Sequence, residues 1–578
     1  LTVHVPDQGE DFLPNIRLGD AVYLYAYATE EEPDVRRSIL FPGSVVDMSS
    51  DSITLHLNDG QQNPGIFDEA ARLGGLRRHY LYAVEKNNGD VGTSAALAAM
   101  LIFAKADTDF RNLMLGQRPP KKDPSVKLRH AYNSNYDQVI LKAMQATDYF
   151  LLVGPPGTGK TSMALQYLVR EYQDRDILLM AYTNRAVDEI CGMLERSGFD
   201  YLRIGKPFSC DRRYTAHLLG NAVSEGGNLR EIRQKVEGVH IVVGTTTSLQ
   251  SSASIFQMKH FCCAIIDEAS QILEPSLIGL LARVPKFILI GDYKQLPAVV
   301  QQPEALTAIG SRELREAGFA DCRESLFQRL IRLEAHAGRT DFTAVLNRQG
   351  RMHEAIADFA NRMFYTTEHL QCVPLQHQVE SRIYPDGCAA WTDTPVGEFI
   401  ASRRYVFIPS RFCIDPEQSD KVNADEARIT ADVVMAVRHT YAQLFDPDTT
   451  VGVVVPYRNQ ISMVRRLLEQ TGDPLLSRIS IDTVERYQGS QRDVIVYSFT
   501  IQHRYQLDFL TSNNFLENGR EIDRKLNVAL TRARRQMIVV GNEAILNYNP
   551  IFHGLIGYIK QRNGYFERQE RGKTPSFN

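Results

Sequence analysis

Short runs of apolar residues alternate along most of this chain with longer stretches of helical period. Between residues 135 and about 334 the runs fall at 149–153, 177–181, 241–243, 263–266 and 287–290. Runs apolar on both faces suit strands covered by helices on both sides, so the rhythm predicts a parallel α/β sheet. A second series starts near residue 342, with runs at 342–346, 405–408, 451–455, 479–481, 494–498 and 537–540. Helical segments at 423–440 and 460–470 punctuate it. Two α/β domains in tandem are expected, over 127–335 and 336–578. A polar insert is expected at about 204–239, and an irregular, turn-rich one at 372–401.

The pattern before residue 127 is different. Val22, Leu24 and Ala26 alternate with Tyr23, Tyr25 and Tyr27, and Ile53, Leu55 and Leu57 repeat the period of two. Short strands between turn clusters predict a small β-barrel over 1–65. The three tyrosines could stack on bases, although filling the barrel or covering its surface is the commoner fate of such a stripe. Residues 66–126 are expected to form a helical stalk, helical from 76 to about 115, and the run Gln117-Arg-Pro-Pro-Lys-Lys-Asp-Pro124 a linker.

Composition narrows the classes. At 578 residues, 43% of them apolar and 23% charged, the chain suits a soluble protein of several domains. No run of about 18 apolar residues suggests a membrane span, and the first residues carry no basic-then-apolar leader. The eight cysteines form no C-x-x-C pair, so the sequence signals neither a zinc site nor an iron–sulfur cluster. An intracellular protein is expected, cytoplasmic if the source is prokaryotic. The net charge of −4 confines any nucleic-acid site to a local groove.

The chemistry centres on Gly154, Pro155, Pro156, Gly157, Thr158, Gly159, Lys160 and Thr161, between the run at 149–153 and an amphipathic segment at 162–172. This is G-x-x-x-x-G-K-[ST], the phosphate-binding loop, in its required strand–loop–helix setting. Gly157 and Gly159 allow positive φ, which aims backbone N–H groups at phosphate oxygens. Lys160 would reach the β- and γ-phosphates, and the Thr161 hydroxyl a magnesium ion. Asp267 and Glu268 end the run at 263–266, where Asp267 would hold that magnesium through water and Glu268 would position the attacking water as general base. Gln295, in Gly291-Asp-Tyr-Lys-Gln295-Leu-Pro297, could sense the γ-phosphate or belong to an ordinary strand-end turn. Phosphoryl transfer also needs arginines to neutralise spreading charge. Arg351 and Arg532, both in the second series, are the candidates.

These motifs, with Ala181-Tyr-Thr-Asn-Arg-Ala-Val-Asp188, Gly244-Thr-Thr-Thr247, Val455-Pro-Tyr-Arg458, Thr483-Val-Glu-Arg-Tyr-Gln-Gly489 and Asn527-Val-Ala-Leu-Thr-Arg532, resemble superfamily 1 helicases in type and order. The resemblance covers about 127–545. It points most closely to the 5′→3′ branch that holds the nonsense-mediated-decay RNA helicase and the DNA-replication helicase–nuclease. It implies two RecA-like domains with a barrel and stalk. It makes Gln138 the reader of the adenine edge, Gln295 the coupling residue, Arg351 and Arg532 the fingers, and Gly489 a nucleotide-side contact. It assigns Thr183, Asn184, Thr245, Thr247, Tyr457, Arg458 and Thr483 to motifs that track the nucleic-acid backbone.

One departure stands out: Gly350 occupies the position where the family usually stacks a tyrosine on the adenine. Tyr136 is a candidate substitute. The nuclease half and its cluster cysteines are not found in this chain, so nuclease activity is not carried over. The resemblance implies an ATP- and Mg2+-dependent helicase or translocase, moving 5′→3′ on single-stranded DNA in preference to RNA. A monomer is expected, with a nuclease domain or partner chain upstream as a further expectation. The alternative is an ATP-gated clamp or ribonucleoprotein remodeller without processive unwinding.

Overall fold

In the computed structural model the apolar runs become strands of two parallel sheets, because a strand covered on both faces gains burial from every residue while its neighbours satisfy its backbone. The structure describes residues 1–5, 16, 19–30, 32–49, 51–58, 80–87, 91–221, 229–300, 302–413 and 419–568. The chain divides into two compact units, residues 1–98 with 202–235, and residues 99–201 with 236–578.

The first unit carries an antiparallel five-stranded sheet. Its strands are β1 (Thr2–His4), β2 (Ala21–Ala28), β3 (Phe41–Met48), β4 (Ser52–Leu57) and β5 (Tyr80–Lys86), hydrogen-bonded in the order β1-β4-β3-β2-β5. Val22, Leu24, Val45, Ile53 and Leu55 form its core. Tyr25 is fully buried and bonds Glu85, so it cannot present its ring as part of a stacking platform. Residues 80–86 were expected to be helical; they pair with β2 instead, and the helices are α1 (Val91–Lys105) and α2 (Thr108–Met114). Residues 66–79, expected in the stalk, lie outside the described residues. In the polar insert a helical turn at Arg212–His217 and a helix at Leu229–Gly238 are described, and residues 222–228 are not.

The second unit holds the two parallel sheets. Its elements begin with α3 (Asp137–Gln145), β6 (Tyr149–Val153), α4 (Gln166–Glu171), β7 (Ile177–Ala181), α5 (Asn184–Arg196), β8 (Ile241–Thr245), β9 (Cys263–Ile266), β10 (Phe287–Gly291), α6 (Leu326–His336) and β11 (Thr343–Val345). These six strands are parallel in the order β11-β6-β10-β9-β7-β8. The run at 342–346 was expected to open the second series, yet β11 pairs with β6 as an edge of the first sheet. An apolar run fixes a strand but not its partner.

Then come α7 (Glu354–Met363), β12 (Tyr405–Pro409), α8 (Ala424–Tyr441), β13 (Val451–Val454), α9 (Arg458–Glu469), β14 (Ser480–Asp482) and β15 (Arg492–Ser498). They are followed by α10 (Gln506–Leu510), the hairpin β16 (Phe515–Glu517) and β17 (Arg520–Ile522), α11 (Arg524–Leu530), β18 (Ala533–Gly541) and α12 (Pro550–Gln561). The second sheet is parallel in the order β12-β18-β15-β13-β14. Alternate residues of each strand serve opposite faces. Phe407, Ile495 and Met537 pack towards α7, α11 and α12, whereas Val406, Val494 and Ile538 pack towards α8 and α9. Leu296, from the loop after β10, is buried in the former cluster, so that loop is anchored in the second sheet's core. The proline-containing segment at 117–124 is tied down: the Arg118 guanidinium forks onto Asp148 at 2.7 and 3.2 Å, directly before β6. Among the described residues no helix is long and apolar enough to cross a membrane.

Candidate nucleotide site and nucleic-acid track

The phosphate loop lies between β6 and α4. Gly157 and Gly159 hold φ of 75° and 74°, the left-handed region that costs a side-chain-bearing residue most. A Cβ on Gly157 would also stand 2.5 Å from the Arg351 Cβ, so only glycine lets the second sheet's arginine close on the loop. The first helical turn, Lys160–Leu165, is wound as a π-helix before α4 begins.

Two carboxylates end β9. The buried Asp267 accepts a hydrogen bond from the Thr161 hydroxyl. Burial first, and then the Glu268 charge, push its carboxyl up to about 6. For Glu268, burial works to raise the carboxyl, but Lys160, Gln271 and Arg532 together outweigh it and hold it below its ordinary value. The Lys160 ammonium is 3.5 Å away. Glu268 sits at φ 51°, a strained conformation for a residue with a side chain; it aims the carboxylate into the cleft. Hard oxygen donors at Thr161 and Asp267 fit magnesium, which keeps most of its shell as phosphate and water. Among the described residues no cluster of three or more His, Cys, Asp or Glu could hold a metal ion.

The second sheet contributes the opposite wall. Arg351 donates to Gln491 at 2.9 Å and to the Thr531 carbonyl at 3.2 Å. Arg532, 1% exposed, donates to Gln295 at 2.9 Å. Gln295 in turn donates to Asp292 at 2.7 Å. Burial and the facing Arg532 both disfavour the charged form of Arg351, which makes the pair complementary to a polyphosphate. Loop, carboxylate and arginines line one cavity of about 710 Å3, together with Tyr136, Glu189, Gly350 and Gly489. The Gly350 N–H donates to the Gly157 carbonyl at 2.9 Å, so this position touches the loop directly.

Gln138 is the exception. It is exposed on α3 and does not line the cavity. Tyr136 does line it, but its hydroxyl donates to the Thr158 carbonyl at 2.9 Å and its ring meets Tyr167 edge-on, so it buttresses the loop. Gly489 has φ 85°, and a Cβ there would approach the Glu189 carboxylate to 3.1 Å. Sequence reasoning missed Glu189 and Gln491, although Glu189 directly follows one quoted motif and Gln491 lies just beyond another. Glu189 is a third carboxylate in the cleft, pushed up to about 7 by desolvation and by Glu268 and Asp267. Only the phase of α5 shows that it faces the cavity.

The residues assigned to the nucleic-acid backbone fall at the carboxyl ends of neighbouring strands. Thr183 and Asn184 follow β7, and Thr245 and Thr247 end its partner β8 and begin the next helix. In the second sheet Tyr457 and Arg458 follow β13, and Thr483 follows its partner β14. Thr183 caps α5 by accepting the Ala186 N–H at 3.1 Å. Thr245 is buried as a similar cap, bonding the Ser248 N–H at 3.1 Å. Asn184, Thr247 and Arg458 are exposed, whereas Tyr457 is buried beneath Phe509.

A phosphate loop on one parallel sheet, closed by arginines from a second, defines a nucleotide-binding protein with two RecA-like domains. Two family models described as AAA domain match, one over residues 131–230 and 219–303 and the other over 322–544. The DNA replication ATP-dependent helicase/nuclease JHS1 of Arabidopsis thaliana is 27% identical over 96% of this chain and 39% of its own length. The DNA replication ATP-dependent helicase/nuclease DNA2 of Homo sapiens is 26% identical over 82% of this chain and 44% of its own length. One AAA-domain match thus falls on the half that carries the phosphate loop and the other on the half that carries the arginines, and the chain is similar to these helicase/nucleases. It spans about two-fifths of the length of the curated relatives it matches. Among solved structures, a complex of arterivirus nonstructural protein 10 (helicase) with DNA aligns with a TM-score of 0.34 and 14% identity, over 73% of this chain and 65% of that one.

Proposed function

We propose that the protein is an ATP-dependent helicase that moves 5′→3′ along single-stranded nucleic acid, DNA in preference to RNA, and acts as a monomer. The observation that carries this reading is the convergence of Lys160, Thr161 and Glu268 with Arg351 and Arg532 on one cavity, with the buried Asp267 bonded to Thr161 behind it. Lys160 binds the β- and γ-phosphates, and Glu268, held below its ordinary pKa, orients the attacking water and takes its proton. Thr161 and Asp267 would hold magnesium, which would supply charge neutralisation on the phosphates. Arg351 and Arg532 oppose the charge that spreads over the transferring group. Gln295 links this event to movement, because Arg532 bonds it directly and its loop is anchored in the second core through Leu296. Opening and closing of the cleft would shift the strand ends at β7–β8 relative to those at β13–β14. Short polar side chains and backbone N–H groups there suit phosphate contacts without sequence readout.

The test is steady-state ATP hydrolysis alone, with single-stranded DNA and with single-stranded RNA, at low and moderate salt. Stimulation that fades with salt is expected, DNA exceeding RNA. Glu268→Gln should lower turnover by about 10²- to 10⁴-fold. Displacement of a duplexed strand only when the overhang is 5′ establishes the polarity. No stimulation by either polymer would remove the motor reading.

A further inference from the structure

A second cleft, of about 440 Å3, opens in the second sheet's half at the carboxyl end of β13. Its walls include Tyr457, Tyr505 and Phe509, with Arg458 and Lys421 also on its lining. Tyr457 and Phe509 stack with ring centroids 5.1 Å apart, and the Lys525 ammonium lies 4.1 Å from the Phe509 centroid. Tyr505 is 61% exposed and Phe509 44% exposed. Aromatic carbon left open to water beside cations is the surface on which unstacked bases rest.

The walls are held in place before anything binds. Buried Gln506, at the start of α10, accepts the Gln502 and His503 N–H groups at 2.8 and 2.9 Å. It donates to the Asp420 carbonyl at 2.8 Å. The Tyr505 hydroxyl bonds the Asp420 carboxylate, which fixes the ring and occupies that acidic group. Beside the rings, α9 begins at Arg458 with no side chain capping its first N–H groups. These N–H groups, Arg458 and Lys421 offer partners to a phosphate in the cleft that the rings line. Thr483 follows β14, the strand paired with β13.

We infer that this cleft takes an unstacked nucleobase of the single strand, with Tyr505 and Phe509 as the stacking surface and Arg458 on the adjoining phosphate. The inference rests on the nucleic-acid reading above and adds base contact to a track otherwise limited to backbone. Stacking of this kind tolerates any base, because every base has a π-face.

The experiment compares equilibrium binding of an oligothymidylate and of an abasic strand of equal length and charge. The wild-type protein should prefer the oligothymidylate by about fivefold or more. Tyr505→Ala, and independently Phe509→Leu, should remove most of that preference while abasic binding persists, and Tyr505→Phe should retain it. Variants that keep the full preference, or that lose both strands equally, overturn the pocket and leave the nucleic-acid reading standing. A wild-type protein that binds neither strand overturns both.

Discussion

At the scale of single residues, the cavity is decided by what each position lacks as much as by what it carries. Gly350 stands where the resemblance to superfamily 1 helicases places a stacking tyrosine, and its backbone N–H bonds the phosphate loop. A Cβ there would meet only Leu375 Cδ1, at 3.5 Å, so a side chain can enter without displacing backbone. Gly350→Tyr is therefore expected to lower the Michaelis constants for both ATP and GTP, by about fivefold or more if the ring stacks. Unchanged constants for both nucleotides would show that the base lies elsewhere. The glycines, the lysine and the carboxylate pair were legible in the sequence, because their spacing is the chemistry. Glu189 and Gln491 were not: each faces the cleft only through the phase of a helix or the path of a loop.

At the scale of elements, α8 shows how a buried charge joins a helix to a sheet. Glu426, in its first turn, is fully buried and accepts bonds from Ser410, Ser498 and the Thr500 N–H at 3.0, 2.7 and 2.7 Å. These partners stand at the ends of β12 and β15. Burial pushes the carboxyl up to about 7 from an ordinary value of 4.5. Between those values the folded protein holds a proton that the unfolded chain has released, so this group's contribution to stability falls as pH rises through the window. Above about pH 7 the contribution is constant. The thermal midpoint of the wild-type protein should therefore fall more steeply between about pH 5 and pH 7 than that of Glu426→Gln. Parallel slopes would mean that Glu426 ionises alike in both states. The sequence predicts α8 as a helix from its period; it does not predict that an acid in the first turn would face inward.

At the scale of the molecule, the two sheets meet through the loop after β10. Lys294, with its side chain 1% exposed, pairs with Glu368 at 2.7 Å and Glu517 at 2.5 Å. Tyr365 donates to Asp292 at 2.7 Å, and Asn527 to the Lys294 carbonyl at 2.7 Å. Removing the cation strands two acids in a poorly solvated seam, a loss of about 3–5 kcal/mol for a broken buried pair. Lys294→Met should lower the thermal midpoint sharply, and Glu368→Gln in the same chain should restore part of it. A midpoint unchanged by Lys294→Met would mean that the seam does not hold the halves together. These contacts converge on the loop that carries Gln295, so under the proposed function the same seam would relay the state of the nucleotide site.

By itself the sequence determined most strands of both parallel sheets though not the one at Tyr201–Ile204, the phosphate loop with its carboxylate partners, and the order of the motifs. All of these are local, set by apolar runs of strand length and by residue types at fixed spacing. Tertiary structure alone decided the rest. It placed the run at 342–346 on the first sheet, turned residues 80–86 into a strand and buried Tyr25. It left Gln138 outside the cavity and brought Tyr505 and Phe509 beside Arg458. The physical reason is common to these cases. Which strand pairs with which, and which side chain faces which cleft, depends on contacts between residues far apart in the chain.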